Sequence, residues 1–230
     1  MDFSAIGANF DLYLEGLWTT VQLVFAALVL GLMIAIPLAL AASSSHALLR
    51  WPVFCFTYVF RGTPLLVQMF ILYYGSGQFE FIQNSFLWPV LREAYWCALI
   101  AFTLNTAAYT TEILRGAIKA TSTGEIEAAK ACGMSPALMY RRIILPSAFR
   151  RALPAYGNEV IFMLHGSAIA STITLVDITG AARIVYSRYY IPYEAFITAA
   201  LFYMTLTLII VVAFRLVEKR WFAHLQPRKS

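Results

Sequence analysis

Five long stretches without a single charged side chain dominate this sequence and restrict what it can fold into. Gly16–Leu49, Gly62–Phe79, Ala94–Thr111, Val160–Val176 and Ala195–Phe214 contain no Asp, Glu, Lys or Arg. Each reaches the roughly 17–25 residues that a helix needs to cross a hydrocarbon layer about 30 Å thick. Strands of a membrane barrel are about half that length and alternate in polarity, which these stretches do not. Only 13% of the chain is charged against 60% hydrophobic, too little charge to cover a water-facing surface of this size. The expected fold is an all-α integral membrane protein, a single domain over residues 1–230. Its five transmembrane helices are expected at about 17–42, 63–79, 94–114, 156–176 and 195–217.

The charges between these stretches give an orientation. Arg50, Arg115, Lys119, Lys130, Arg141, Arg142, Arg150, Arg151, Arg215, Lys219, Arg220, Arg228 and Lys229 occupy one alternating set of segments. Arg92, Arg183 and Arg188 occupy the other, and Arg61 lies at or within a span. Basic residues concentrate on the cytoplasmic side of a membrane. The acidic N-terminus with Asp2, Asp11 and Glu15 is then expected outside and the C-terminus inside, which an odd number of spans requires. The net charge of +5 follows from this topology and calls for no nucleic acid. No cleaved signal peptide is expected, because the first apolar stretch lacks a basic leader. Cys55, Cys97 and Cys132 lie far apart without CxxC spacing and read as ordinary apolar residues.

Two segments carry strong local signals. Thr63-Pro64 reads as a helix start, with Thr63 as N-cap and Pro64 in the first turn. That framing lays 51–60 along the inner surface, starts the second crossing at Thr63, and lets Arg61 reach the headgroups. In the long inner loop, 115–153, Ser122-Thr123-Gly124-Glu125 has the spacing of a capping box, and Gly133 suits a left-handed helix end. Ser135-Pro136 starts a second helix, which Pro146 is expected to end. Two short helices at a glycine corner make a rigid knob. Ala128 and Ala129 keep its surface low, and Glu127 and Arg141 are free to meet a partner.

Glu127-Ala128-Ala129, three residues, Gly133, nine residues, Ile143-Ile144-Leu145-Pro146 resembles the EAA coupling loop of bacterial ABC importer permeases. Arg61-Gly62-Thr63-Pro64-Leu65-Leu66-Val67-Gln68, Asn105-Thr106-Ala107-Ala108-Tyr109-Thr110-Thr111-Glu112 and Asn158-Glu159-Val160-Ile161 resemble the polar amino-acid branch. Residues 51–220 are most similar to the M-type permease of histidine and lysine/arginine/ornithine importers, with arginine/ornithine and opine relatives close behind. His165-Gly166-Ser167-Ala168 departs from the Ser/Thr-rich stretch common there.

This resemblance implies a type I ABC importer permease, multi-pass in the bacterial inner membrane. Loop 122–146 would dock an ABC ATPase dimer through Glu127, Ala128, Ala129, Gly133, Arg141, Leu145 and Pro146. A second permease subunit, a homologue in preference to a second copy, would complete the pathway, and a periplasmic binding protein would deliver the substrate. The chain lacks a GxxxxGK[ST] loop, so ATP and Mg are expected on the partner ATPase, with no cofactor, catalytic residue or metal site here.

A basic amino acid is the expected cargo, with an opine or another polar amino acid as the alternative. Glu159 lies inside the fourth span, where a carboxylate is costly without a purpose. It either receives a substrate cation or pairs with Arg61, Arg150 or Arg151, or with a partner subunit. Asn105, Asn158, Ser167, Ser171 and Thr172 are pathway candidates with neutral hydrogen-bonding groups. Arg61, Gly62, Thr63, Pro64 and Gln68 are family-motif residues, and Glu112 and Arg115 suit a structural i,i+3 pair. His165 reads as a packed or hydrogen-bonded residue. An ion-coupled secondary transporter would instead use Glu159 and Glu112 as ion sites and show inverted repeats, which the sequence lacks.

Overall fold

Apolar stretches in a membrane chain must satisfy their backbone groups within one helix, and every element of the computed structural model is helical across its described residues, 3–221. Asp2, Arg228 and Lys229 of the charge pattern lie outside the described residues. In order come α1 (Ser4–Ala8), α2 (Phe10–Ala42), α3 (Ala47–Gly62), α4 (Leu65–Phe70), α5 (Glu80–Gln83) and α6 (Trp88–Leu91). They are followed by α7 (Ala94–Lys119), α8 (Thr123–Ala131), α9 (Pro136–Met139), α10 (Leu145–Gly166), α11 (Ile178–Tyr189) and α12 (Pro192–Trp221). A π-turn at Ile71–Gly75 extends α4, another at Tyr140–Ile144 joins α9 to α10, and a 3-10 segment at Ser167–Ile173 follows α10.

Among the described residues, α2, α7 and α12 are each long and apolar enough to cross a membrane. Two bent pairs also qualify: Ala47–Gly62 with Leu65–Gln78 at 101°, and Pro136–Ile173 with Ile178–Tyr189 at 47°. The helices outrun the charge-free stretches. α2 begins at Phe10, α7 continues to Lys119, and α12 covers Pro192–Trp221. Charged side chains on terminal turns reach past the apolar layer, so charge alone does not end a helix.

Small residues set the central packing. Ala27, Gly31, Ala35 and Ala39 recur at every fourth position of α2 and are all buried. Such a stripe lets two backbones approach closely. At Gly31 a Cβ would collide with Thr106 Cγ2 and lie 3.3 Å from the Thr103 carbonyl oxygen, so α2 and α7 meet at a distance only glycine permits. α3 packs on α7, with Thr57 Oγ1 3.5 Å from Glu112 and the Phe60 carbonyl 3.2 Å from the Asn105 amide.

Three local expectations are corrected. The first concerns the break between α3 and α4: Pro64 is the N-cap of α4, and Thr63 closes α3 in extended geometry (φ −117°, ψ 143°). Thr63 has the extended backbone that a following proline favours, but Pro64 is extended as well (φ −62°, ψ 136°), so the helix starts one residue later than at Ser135-Pro136, at Leu65. The Thr63 hydroxyl donates instead to the Val59 carbonyl at 2.8 Å.

Pro146 does not end a helix either. It sits in the first turn of α10, and Pro136 through Gly166 is helical throughout. The π-turn at Tyr140–Ile144 shifts the hydrogen-bond register just before Pro146, where the missing N–H leaves no helical bond to lose.

The third correction is Ala129, which is 2% exposed and faces inward, packed with Ala35, Ala39, Leu114, Met139 and Ile144. Successive helical residues point about 100° apart, so Ala128 remains exposed while Ala129 joins the knob to the bundle.

Candidate functional site

Two cavities flank the α3–α7 pair. The first, of about 550 Å³, is lined by Leu65, Asn105, Tyr109, Asn158, Glu159, Phe162 and their neighbours on α7 and α10. Glu159 is 6% exposed and accepts a 2.9 Å hydrogen bond from Thr106 Oγ1. A neutral donor fixes the carboxylate without cancelling its charge. Asn158, next to it on α10, is exposed at the same cleft.

Asn105 lines this cleft but its amide is already engaged, donating to Gln68 Oε1 at 3.1 Å and to the Phe60 carbonyl at 3.2 Å. Gln68 Nε2 in turn reaches the Phe60 carbonyl at 2.8 Å, the Thr63 carbonyl at 3.0 Å and Thr63 Oγ1 at 2.8 Å. The break at Gly62-Thr63-Pro64 frees carbonyls that a continuous helix would use, and Gln68 and Asn105 satisfy them. These two side chains hold the wall of the cleft in shape.

The second cavity, of about 540 Å³, is lined by Arg50, Trp51, Phe54, Tyr58, Arg61, Glu112, Arg115 and adjoining residues. Arg115 donates to Glu112 through Nε at 3.0–3.1 Å and Nη2 at 2.6 Å, a near-bidentate i,i+3 pair. Arg61 Nη1 stands farther off, 3.8 Å from Glu112 Oε2, and its guanidinium lies 5.3 Å from the centre of the Tyr109 ring. Arg151 is committed elsewhere, to the Ala117 carbonyl, Thr121 Oγ1 and Ser147 Oγ, which ties the start of α10 to the end of α7.

Other candidates fall outside the cleft. Ser167, Ser171 and Thr172 occupy the 3-10 segment and donate to the carbonyls of Leu164, Ala168 and Ile169. Ser171 borders a separate depression with Arg183. His165 is 3.0 Å from Thr207 Oγ1 on α12. Sequence reasoning passed over Thr106 and Tyr109 as site residues. The available signal was the spacing of Thr103, Thr106 and Thr110, a polar stripe on one face of an otherwise apolar helix.

The knob at 122–146 is built by local caps. Ser122 Oγ accepts from the Glu125 N–H at 3.2 Å, and Ser135 Oγ accepts from the Leu138 N–H at 3.4 Å. Gly133 turns the chain between α8 and α9 with φ +73°, backbone that side chains with a Cβ rarely adopt. Glu127, Ala128, Gly133 and Arg141 are exposed, while Leu145 and Pro146 are half-buried.

Residues 27–223 match the family described as binding-protein-dependent transport system inner membrane component. The octopine transport system permease protein OccM of Rhizobium meliloti is 45% identical over 96% of this chain and 90% of its own length. The nopaline permease NocM of Agrobacterium fabrum is 43% identical over 99% and 95%. The histidine/lysine/arginine/ornithine permease HisM of Escherichia coli K12 is 45% identical over 94% and 91%. Among solved structures, a chain of an amino acid ABC transporter with histidines superposes with a TM-score of 0.85 at 35% identity, covering 96% of this chain and 99% of that one. The inward-facing MetNI methionine transporter shares the fold alone, at 19% identity and a TM-score of 0.73. This chain belongs to the binding-protein-dependent transport system inner membrane components, as a non-catalytic permease subunit of an ABC transporter.

Proposed function

We propose that this permease imports a basic amino acid from periplasm to cytoplasm by alternating access. The observation that carries the reading is Glu159, a buried carboxylate held by a neutral hydroxyl at the edge of a cleft of about 550 Å³. A guanidinium, ammonium or imidazolium group completes its charge. Asn158 supplies a neutral hydrogen-bonding group beside it, and Asn105 and Gln68 keep the wall in place. The relatives named for histidine, lysine, arginine and ornithine support this cargo. Those named for octopine and nopaline favour a second reading, an opine built on a basic amino acid.

The chain spans the membrane five times in one domain, with the N-terminus outside and the C-terminus inside. It pairs with a homologous permease around a shared pathway and receives its substrate from a periplasmic binding protein. Two ATPase subunits, carrying ATP and Mg, dock on the knobs at 122–146 through Glu127, Ala128 and Arg141, with Gly133 setting the corner and Leu145 and Pro146 supporting it. The helix from Pro136 to Gly166 carries the knob at one end and Glu159 near the other, so movement of the ATPases reaches the cleft through one continuous rod. The states differ in which side of the cleft is open, and ATP binding shifts their populations.

The test is ATP hydrolysis by the complete transporter in liposomes, with binding protein and each basic amino acid or opine in turn. Stimulation by a liganded binding protein supports the reading and names the solute. Flux that proceeds without any ATPase overturns it in favour of a secondary transporter.

A further inference from the structure

Arg61 lines the second cavity and lies against Tyr109, whose ring lines the first. A guanidinium beside Tyr109, well within the length of α7, is expensive unless it faces water or a ligand. Its side chain is 43% exposed, against 19% for Glu112. Glu112 does not depend on it, because Arg115 already makes three short contacts to that carboxylate. At 3.8 Å the Arg61–Glu112 contact is longer than a charge-assisted hydrogen bond.

The backbone on either side of Arg61 is pinned. The Phe60 carbonyl accepts from Asn105 and Gln68, and Thr63 is held by Gln68. Movement at this point is therefore left to the side chain. The face of Tyr109 that carries the guanidinium belongs to a ring that also lines the Glu159 cleft. The Glu159 carboxylate in one cavity and the loosely held guanidinium in the other are separated by the Tyr109 ring, and together they match a molecule carrying both charges.

We propose that Arg61 is a second substrate-binding residue, which leaves Glu112 to take the substrate α-carboxylate while Glu159 takes its cationic side chain. This rests on the amino-acid reading of the cleft and deepens it: the permease itself recognises the backbone end of the substrate. Planar guanidinium and carboxylate groups pair through two parallel hydrogen bonds, so Arg61 selects for an α-carboxylate in a way that a lysine reproduces only in part. A basic compound lacking the carboxylate leaves Arg61 on Glu112 and binds weakly.

Equilibrium binding to the purified complete transporter, without binding protein, tests this with arginine against argininamide and with glutamine against glutaminamide. Wild type is expected to favour each acid over its amide by roughly tenfold or more, the range for a hydrogen bond to a charged group. Arg61→Gln is expected to lower acid binding to the level of the amide while leaving amide binding unchanged. Arg61→Lys is expected to keep part of the preference, so the test survives poor assembly of the first variant. An absence of acid preference in wild type overturns the proposal, as does equal weakening of acid and amide in an assembled Arg61→Gln complex. If glutamine binds as well as arginine and Arg61→Gln abolishes its acid preference, Arg61 stands and the basic-side-chain role of Glu159 falls.

Discussion

The knob at 122–146 and the cleft around Glu159 lie on one helical rod, yet their polar groups are satisfied in opposite ways. In the knob, Ser122 and Ser135 each cap the N–H three residues ahead, and Gly133 supplies the turn. In the cleft, Glu159 meets Thr106 across 53 residues of sequence, and Asn105 meets Gln68 across 37 and Phe60 across 45. The knob is a local object pressed on the bundle through Ala129, Met139 and Ile144. The cleft exists only when α3, α4, α7 and α10 have come together. An element that must transmit force benefits from the first kind of construction. A site that must change shape is assembled from parts that can separate, and needs the second.

The largest effect that separates the two regions is expected at the knob surface. Glu127→Lys reverses an exposed charge at the proposed docking face and should weaken ATPase association by roughly 100-fold, the scale of a misplaced interface charge. Co-purification with the ATPase measures it, and arginine binding by the permease should be retained. If arginine binding falls with it, the two regions are not separable.

Neighbouring alanines sharpen the contrast. Ala129→Leu forces a larger side chain among Ala35, Ala39 and Leu114 and should cost about 1–3 kcal/mol, read as a lower midpoint of thermal unfolding. Ala128→Leu, one residue earlier and exposed, should leave that midpoint unchanged and weaken docking instead. The same response from both variants would contradict the assignment of faces.

Inside the cleft, Thr106→Val removes the donor to Glu159 at nearly constant volume. The buried carboxylate should lose about 1–2 kcal/mol of support, seen as several-fold weaker binding of arginine with ATPase docking intact. The smallest effect is expected at the corner of the knob. Gly133→Ala keeps the turn but places a Cβ at φ +73°, at a cost of about 1 kcal/mol that slower hydrogen exchange protection loss in wild type α8 would reveal by comparison.

What the sequence disclosed follows the same division. Caps, the glycine corner and charge-free stretches are properties of adjacent residues, so Ser122, Gly133, Ser135 and the apolar helices were legible before any packing was known. Pro146 was misread because a π-turn a few residues earlier rescues the register, and no composition signal marks such a turn. Ala129 was placed outside because an alanine fits either face, and the choice depends on α2 and α7 standing beside it. Glu159 stood out as a lone acid in an apolar segment, but its partner was hidden. Thr106 looks like an ordinary membrane-helix threonine until α7 and α10 pack. Asn105 was read as a ligand group and is engaged in closing the break after α3.

The most direct measurement is ATP-dependent accumulation of radiolabelled arginine in proteoliposomes containing the complete transporter and its binding protein, for wild type, Glu127→Lys and Glu159→Gln. Wild type should accumulate arginine against its gradient. Both variants should lose accumulation, Glu127→Lys with arginine binding preserved and Glu159→Gln with ATPase docking preserved. Accumulation that survives Glu159→Gln, or that continues without the ATPase, would contradict a knob and a cation cleft working as one machine.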